Sequence, residues 1–202
     1  MPGLLGEGAH SRIVVAHLGS GASLCLLENL RSVDTSMGYT PAGGIPMGTR
    51  SGDLDPGVML ELARRHDHAA LSDLVYHHMG LLALSNGESS DMAALLKSSS
   101  EAARFAVDYF CRQVRAAIGG FAAKAGGIDA LVFSGGIGEN AAQIRERICE
   151  PLHFMGLSLN SEANQDNRAL IHADGSKPVL RITANEEEVI RELVESLLSL
   201  AF

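Results

Sequence analysis

The spacing of apolar and polar positions changes several times along the chain, and each change marks an element. Residues 12–18 are β-branched and apolar, the pattern of a buried strand. Gly19-Ser20-Gly21 turns the chain into a second apolar run, 22–27, and Glu28-Asn29 turns it again before 31–37. Short runs joined by tight turns predict an antiparallel meander. From 38 to 56 the periodicity dissolves into Gly, Pro, Thr and Asp, and so long a loop inside a compact domain is usually functional. Asp55-Pro56 then caps a helix reaching about Arg65, with Pro at its first position. A second helix is expected over 70–84, a polar break over 86–90, and a short helical piece over 91–96. The longest helical pattern covers 101–125 and ends at Gly126-Gly127, which supply a left-handed cap. Residues 130–133 read as a buried strand, 140–150 as a helix with Ile144 and Ile148 one turn apart, 156–159 and 178–182 as two further strands, and 186–200 as a closing helix. Strands first in a meander and later alternating with helices make an α/β domain.

Composition narrows the partners. The 202 residues suffice for one full core, and 46% apolar with 20% charged residues describe an ordinary globular chain. A formal charge of −8, with no Lys/Arg run, argues against nucleic acid or an anionic membrane as partner. Trp is absent, so stacking platforms for single strands are not expected. Cys25, Cys111 and Cys149 are widely spaced and form neither a metal spacing nor a disulfide framework. Reduced, partly buried thiols fit a cytoplasmic protein. No segment has the pattern of a signal peptide or a membrane span. The glycine-rich start, 1–8, leads almost directly into a strand and reads as a connector cut open.

The candidate chemistry lies in glycine-rich turns that follow apolar strands. His17-Leu18-Gly19-Ser20-Gly21 can aim backbone N–H groups at an anion, or can be a plain hairpin with glycines where positive φ is needed. His17 is either a phosphate contact or a packed strand end. Ser134-Gly135-Gly136-Ile137-Gly138-Glu139-Asn140 precedes a helix and suits an anion or a ligand's backbone. It partly matches a dinucleotide fingerprint, but it stands too late in the chain for a first Rossmann unit. Between the two turns, Arg50 is flanked by Gly and hydroxyl residues and can offer a fork of donors to phosphoryl oxygens. Asp53 and Asp55 read as a partner for Arg50 and a helix cap. The carboxylates at 186–188 are either helix-dipole partners or a magnesium position. His66, His68, His77 and His78 match no zinc spacing and read as a solvated helix face.

In combination these stretches resemble the acetate kinase (acetokinase) family. The resemblance rests on residues 17–23, 33–38, 47–56, 89–92, 133–140 and 185–187, in the family's order, with Met47-Gly48-Thr49-Arg50-Ser51-Gly52-Asp53-Leu54-Asp55-Pro56 the most specific. It implies an actin-like, ribonuclease H-like ATPase domain of the acetate/sugar kinase–Hsp70–actin superfold, with a five-stranded mixed sheet flanked by helices. It further implies ATP/ADP and Mg²⁺ as cofactors and acetate, or another short-chain carboxylate such as propionate or butyrate, as acceptor. By the same resemblance His17, Leu18, Gly19, Ser20 and Gly21 form the phosphate loop, and Arg50 is catalytic. Asp91, Met92, Gly136, Ile137, Gly138, Glu139 and Asn140 hold the nucleotide, Pro41 lines the acyl pocket, and Glu186 serves the metal. The family pattern covers two domains and a homodimer, and residues 1–202 correspond to the C-terminal domain alone. The isolated chain is therefore expected to be inactive or nearly so, and a stand-alone nucleotide-binding or dimerisation module is the alternative. Two positions depart from the pattern: Ser20 stands where the family usually has Asn, and Ala93 where it has Arg.

Overall fold

The computed structural model describes residues 2–199, and the side chains at 2, 7, 186, 192 and 199 lie outside that description. A helical turn, α1 (Pro2–Leu5), and a 3-10 turn (Gly6–His10) lead into the meander β1 (Arg12–Leu18), β2 (Ala22–Glu28) and β3 (Arg31–Thr35). β3 stops before the expected 37 because Ser36 leaves the ladder with its side chain: its hydroxyl accepts the Leu24 N–H at 2.9 Å. The crossover carries α2 (Pro56–Arg65), α3 (His68–His77), α4 (Gly80–Leu84), α5 (Met92–Lys97) and α6 (Glu101–Ala125). Then come β4 (Ala130–Ser134), α7 (Gly135–Asn140), α8 (Ala142–Cys149), a 3-10 segment (Glu150–Met155), α9 (Ser161–Gln165), β5 (Val179–Arg181) and α10 (Glu186–Ser199).

The strands form one sheet in the order β3-β2-β1-β4-β5. The meander is antiparallel, while β4 runs parallel to β1 and β5 parallel to β4, so the sheet is mixed. β4 is buried at every position, as befits a central strand. Alternation in β1 splits its side chains between faces. Val14, Ala16 and Leu18 join the main core with Phe110, Val114 and Ile118 of α6, whereas Ile13 meets Val132 and Leu180 in a smaller cluster on the other face. α6 runs its full 25 residues between the caps its sequence predicts: Ser100 accepts the Ala103 N–H, and Gly126 ends the helix at φ 70°.

Residues 156–159 are not a strand. The free edge of β5 is taken by 169–171, through Ile171 N–H to the Val179 carbonyl and Arg181 N–H to the Ala169 carbonyl. Leu159 is left with a single bridge to His172. The helix expected over 70–84 is broken after His77 and restarts at Gly80, whose φ of +62° no ordinary helix residue adopts. The glycine run 135–140 is itself a helical turn, α7, and the helix behind it starts at Ala142 instead of 140.

Candidate active site

Parallel pairing decides where the site lies. β1 and β4 run side by side with His17 opposite Ser134, so the glycine turns that follow them leave the sheet at the same end. That end, beyond the carboxyl termini of parallel strands, is where open α/β sheets form their ligand crevices. The His17 Nδ1 lies 3.1 Å from Ser134 Oγ. Gly135 is at φ +76°, and a Cβ there would stand 2.7 Å from the Leu18 carbonyl oxygen, so only glycine lets the second turn cross behind the first. A Cβ on Gly19 would lie 3.8 Å from the Gly136 nitrogen. The two turns, more than a hundred residues apart in sequence, therefore touch.

The Arg50 loop is held by the helix break. At the start of α4 the unpaired N–H groups of Met79, Leu81 and Leu82 donate to the carbonyls of Thr49, Met47 and Gly48 at 2.9, 2.8 and 3.0 Å. Thr49 Oγ1 donates to the Tyr76 carbonyl at 2.8 Å. On its other side the loop reaches the first glycine turn, with Gly48 N–H to the Ser20 carbonyl at 3.1 Å. Arg50 Nη1 donates to the Pro41 carbonyl at 3.2 Å. Asp55 caps α2 as expected, but Asp53 does not pair with Arg50: its Oδ1 accepts the Gly44 N–H at 2.7 Å and closes the loop on itself.

These segments surround one cleft of about 1230 Å³. Of the residues singled out from the sequence, His17, Gly19, Ser20, Gly21, Arg50, Asp91, Met92, Gly136, Ile137, Glu139 and Asn140 line it. The side chain of Leu18 does not, because it is fully buried in the main core. Gly138 is also buried, packed on Phe133, with its carbonyl turned toward Arg145. Pro41 is exposed and reaches the cleft only through the carbonyl that receives Arg50. The Glu186 side chain lies outside the described residues, although the backbone there begins α10.

Glu139 joins two segments of the site. Its Oε1 accepts the N–H of Gly135 and the N–H of Ala184, each at 3.0 Å, fastening the second turn to the chain leaving β5. Asp91 caps α5 by accepting the Ala93 N–H at 3.1 Å. Lys97, Gln143, Gln165, Asn167 and Ala184 also line the cleft. No periodicity points to Gln165 or Asn167, which sit in a polar stretch and reach the cleft only through the tertiary fold. Beneath the wall lies Arg145, fully buried, with all its bonds on carbonyl and carboxamide oxygens. Burial lowers its pKa to about 10, with the Arg181 charge adding to the effect.

The four histidines of the 66–78 region lie on or beside α3, where His78 Nε2 is 2.9 Å from Asp73 Oδ2. Among the described residues no group of three or more His, Cys, Asp or Glu is placed to hold a metal ion. No helix among them is long and apolar enough to cross a membrane.

A cleft of this size, with a guanidinium set against glycine backbone at one end and amide side chains at the other, suits an elongated anion bearing an aromatic or polar head. Known proteins are similar in sequence and fold. An acetate kinase of Methylocella silvestris is 43% identical over 182 residues, 89% of this chain and 45% of the relative. A propionate kinase of Salmonella typhimurium is 40% identical over 186 residues, 90% of this chain and 46% of the relative. The crystal structure of Porphyromonas gingivalis acetate kinase matches with a TM-score of 0.86 at 37% identity, covering 94% of this chain and 50% of that one. The chain thus spans about half the length of the curated relatives it matches. The sequence profile of the Acetokinase family matches residues 4–192, with the Arg50 loop and both glycine turns inside the matched span, and the chain belongs to that family.

Proposed function

We propose that this chain is the C-terminal, nucleotide-binding domain of an acetate kinase whose N-terminal domain supplies the rest of the reaction centre. The observation that carries the reading is the convergence of Gly19, Gly136 and Arg50 on one cleft. The reaction is in-line phosphoryl transfer: a carboxylate oxygen of acetate attacks the γ-phosphorus of ATP, and the bond to the β–γ bridging oxygen breaks. The products are acetyl phosphate and ADP. Catalysis of this kind is mostly positioning and charge neutralisation.

In this reading the backbone of 17–21, Leu18 included, cradles the phosphates, with His17 beside them. Arg50 donates to the oxygens of the phosphoryl group in flight, where charge-assisted bonds are worth most. Asp91, Met92 and the 136–140 turn take the adenosine end, with Gly138 acting through its neighbours. Pro41 borders the acyl pocket. Magnesium takes few protein ligands when phosphates are present. Glu186, which begins the helix after β5, would hold the ion. When bound, the ion neutralises charge on the β- and γ-phosphates.

Catalysis between two domains needs both walls and closure over the substrates. We assign the protein to the cytoplasm and to a homodimer joined in the α6 region, where Phe105 is 48% exposed and stacks on Tyr109 at 6.0 Å. The relative named propionate kinase favours a second acceptor, propionate, in the same mechanism.

Calorimetry with Mg-ATP and a hydroxamate assay for acetyl phosphate test the proposal. The chain alone takes up Mg-ATP and turns over acetate little or not at all, and joined to an acetate kinase N-terminal half it forms acetyl phosphate. Absence of heat at millimolar Mg-ATP overturns the nucleotide site, and near-normal turnover by the chain alone overturns the division of labour. The ratio of kcat/KM for acetate and propionate in the joined protein assigns the acid.

A further inference from the structure

Among the described residues Arg145 is the largest fully buried side chain, and it forms no ion pair there. Nε donates to Asn164 Oδ1 at 2.7 Å, Nη1 to the carbonyls of Gly138 and Glu139 at 2.9 Å each, and Nη2 to the Asn164 carbonyl and Asn167 Oδ1 at 2.7 and 2.6 Å. Burying a cation without a carboxylate is costly, and an apolar side chain of similar volume would fill the space without that cost. What an apolar side chain lacks is a rigid fork of donors.

The fork does something specific here. Gly138 and Glu139 are in the last turn of α7, and Asn164 is in the last turn of α9, so a single guanidinium caps the carbonyl ends of two short helices. Both helix ends deliver residues to the cleft: Ile137 and Asn140 from α7, Gln165 and Asn167 from the end of α9. Asn167 is held at φ 54°, a left-handed conformation, with its carboxamide oxygen on Arg145. Asn164 closes the network by donating from Nδ2 to the Ala142 carbonyl at 3.0 Å.

We propose that Arg145 is a positioning residue for the nucleoside end of the bound nucleotide. It sets the spacing between the α7 wall and the 165–167 turn, and it touches neither the phosphates nor the reacting atoms. This inference rests on the reading of the cleft as an ATP site. Lysine keeps the charge but carries a single ammonium in place of the fork, so it cannot cap both helices at once.

The test compares two probes on the same chain, Mg-ATP and Mg-tripolyphosphate, the second having phosphates and no nucleoside. For Arg145→Lys the expected result is an Mg-ATP affinity weakened about tenfold or more, with tripolyphosphate affinity within about twofold of the parent. Asn164→Ala removes two bonds of the network, from Arg145 Nε and to the Ala142 carbonyl, without altering a residue that lines the cleft, and it should weaken Mg-ATP less, with the same selectivity. Near-UV circular dichroism establishes that each variant is folded at the assay temperature. Unchanged Mg-ATP affinity in both variants, or equal losses for the two probes, overturns the assignment. A parent chain that takes up tripolyphosphate and not Mg-ATP, or neither probe, overturns the ATP reading on which it rests.

Discussion

Arg50 lies against Gly21: its Nη1 stands 3.5 Å from the point where a side chain on Gly21 would begin. A fork of donors is thereby placed at the lip of the first glycine turn, where backbone and guanidinium can meet the same phosphoryl group. Contact between residues 29 positions apart, across a turn and a loop, depends on the loop being anchored from behind by α4.

Removing that guanidinium should affect chemistry far more than folding. Arg50→Ala in the enzyme joined to its N-terminal half is expected to lower kcat about a hundredfold or more, the scale seen when a donor to developing charge is deleted. Because Arg50 is only half-buried and its hydrogen bonds end on Pro41 and Met47, the urea unfolding midpoint should move little. A loss of activity that merely tracks a loss of folded protein would contradict the role.

Gly80 should be intolerant of any side chain. A Cβ there would stand 2.2 Å from the Met47 carbonyl oxygen and 2.6 Å from that of Arg50, at a φ of +62°. Gly80→Ala must therefore either push the Arg50 loop away or unwind the start of α4. Strain and lost hydrogen bonds together predict a destabilisation of about 2 kcal/mol or more, read from urea unfolding. Weaker binding of Mg-tripolyphosphate should accompany it, since the same loop bonds Ser20.

Acid stability should depend on Asp129. Arg12 grips this carboxylate from Nε and Nη2 at 2.9 and 2.8 Å and holds its pKa down to about 2. A carboxylate depressed in the folded state stabilises the protein above its unfolded pKa of about 4, and that contribution is lost as pH falls through about 2. Asp129→Asn should thus melt below the parent at pH 7, and the two melting curves should converge as the pH approaches 2. A constant gap across the whole range would show that the ionised pair is not responsible.

The thiols should differ in reactivity. Burial raises Cys111 to about 11 and Cys149 to about 12, so neither offers appreciable thiolate at pH 8. Cys25 is only half-buried, 3.1 Å from Ser32 Oγ. Iodoacetamide on the folded chain at pH 8 should label Cys25 first, with Cys111 and Cys149 following only on unfolding, as peptide mass spectrometry can establish.

Local signals were legible where the chemistry is local. The meander, the α6 boundaries and the Asp55 cap all follow from strand periodicity, turn residues and capping residues acting within a few positions. The failures have a common cause. The Leu157 and Leu159 alternation reads as a strand, but a strand needs a free edge, and 169–171 had already taken it. The run over 70–84 reads as one helix, but the broken N-terminus of α4 finds its partners in the Met47–Thr49 carbonyls, a gain no window of sequence contains.

The site divides the same way. Glycine-rich turns after apolar strands and a lone Arg among Gly and hydroxyl residues are properties of short segments, so the sequence by itself determined which residues were candidates and to which family they point. Sequence also determined the α/β pattern, because side-chain period is set by backbone geometry. Only the tertiary structure decided that Leu18 and Gly138 turn away from the cleft, that Asp53 serves Gly44 and not Arg50, and that Gln165 and Asn167 join the wall. It alone decided that Arg145 holds that wall together. Those outcomes depend on which strand ends lie side by side and which carbonyls are left unpaired, and such contacts exist only after segments distant in sequence have packed.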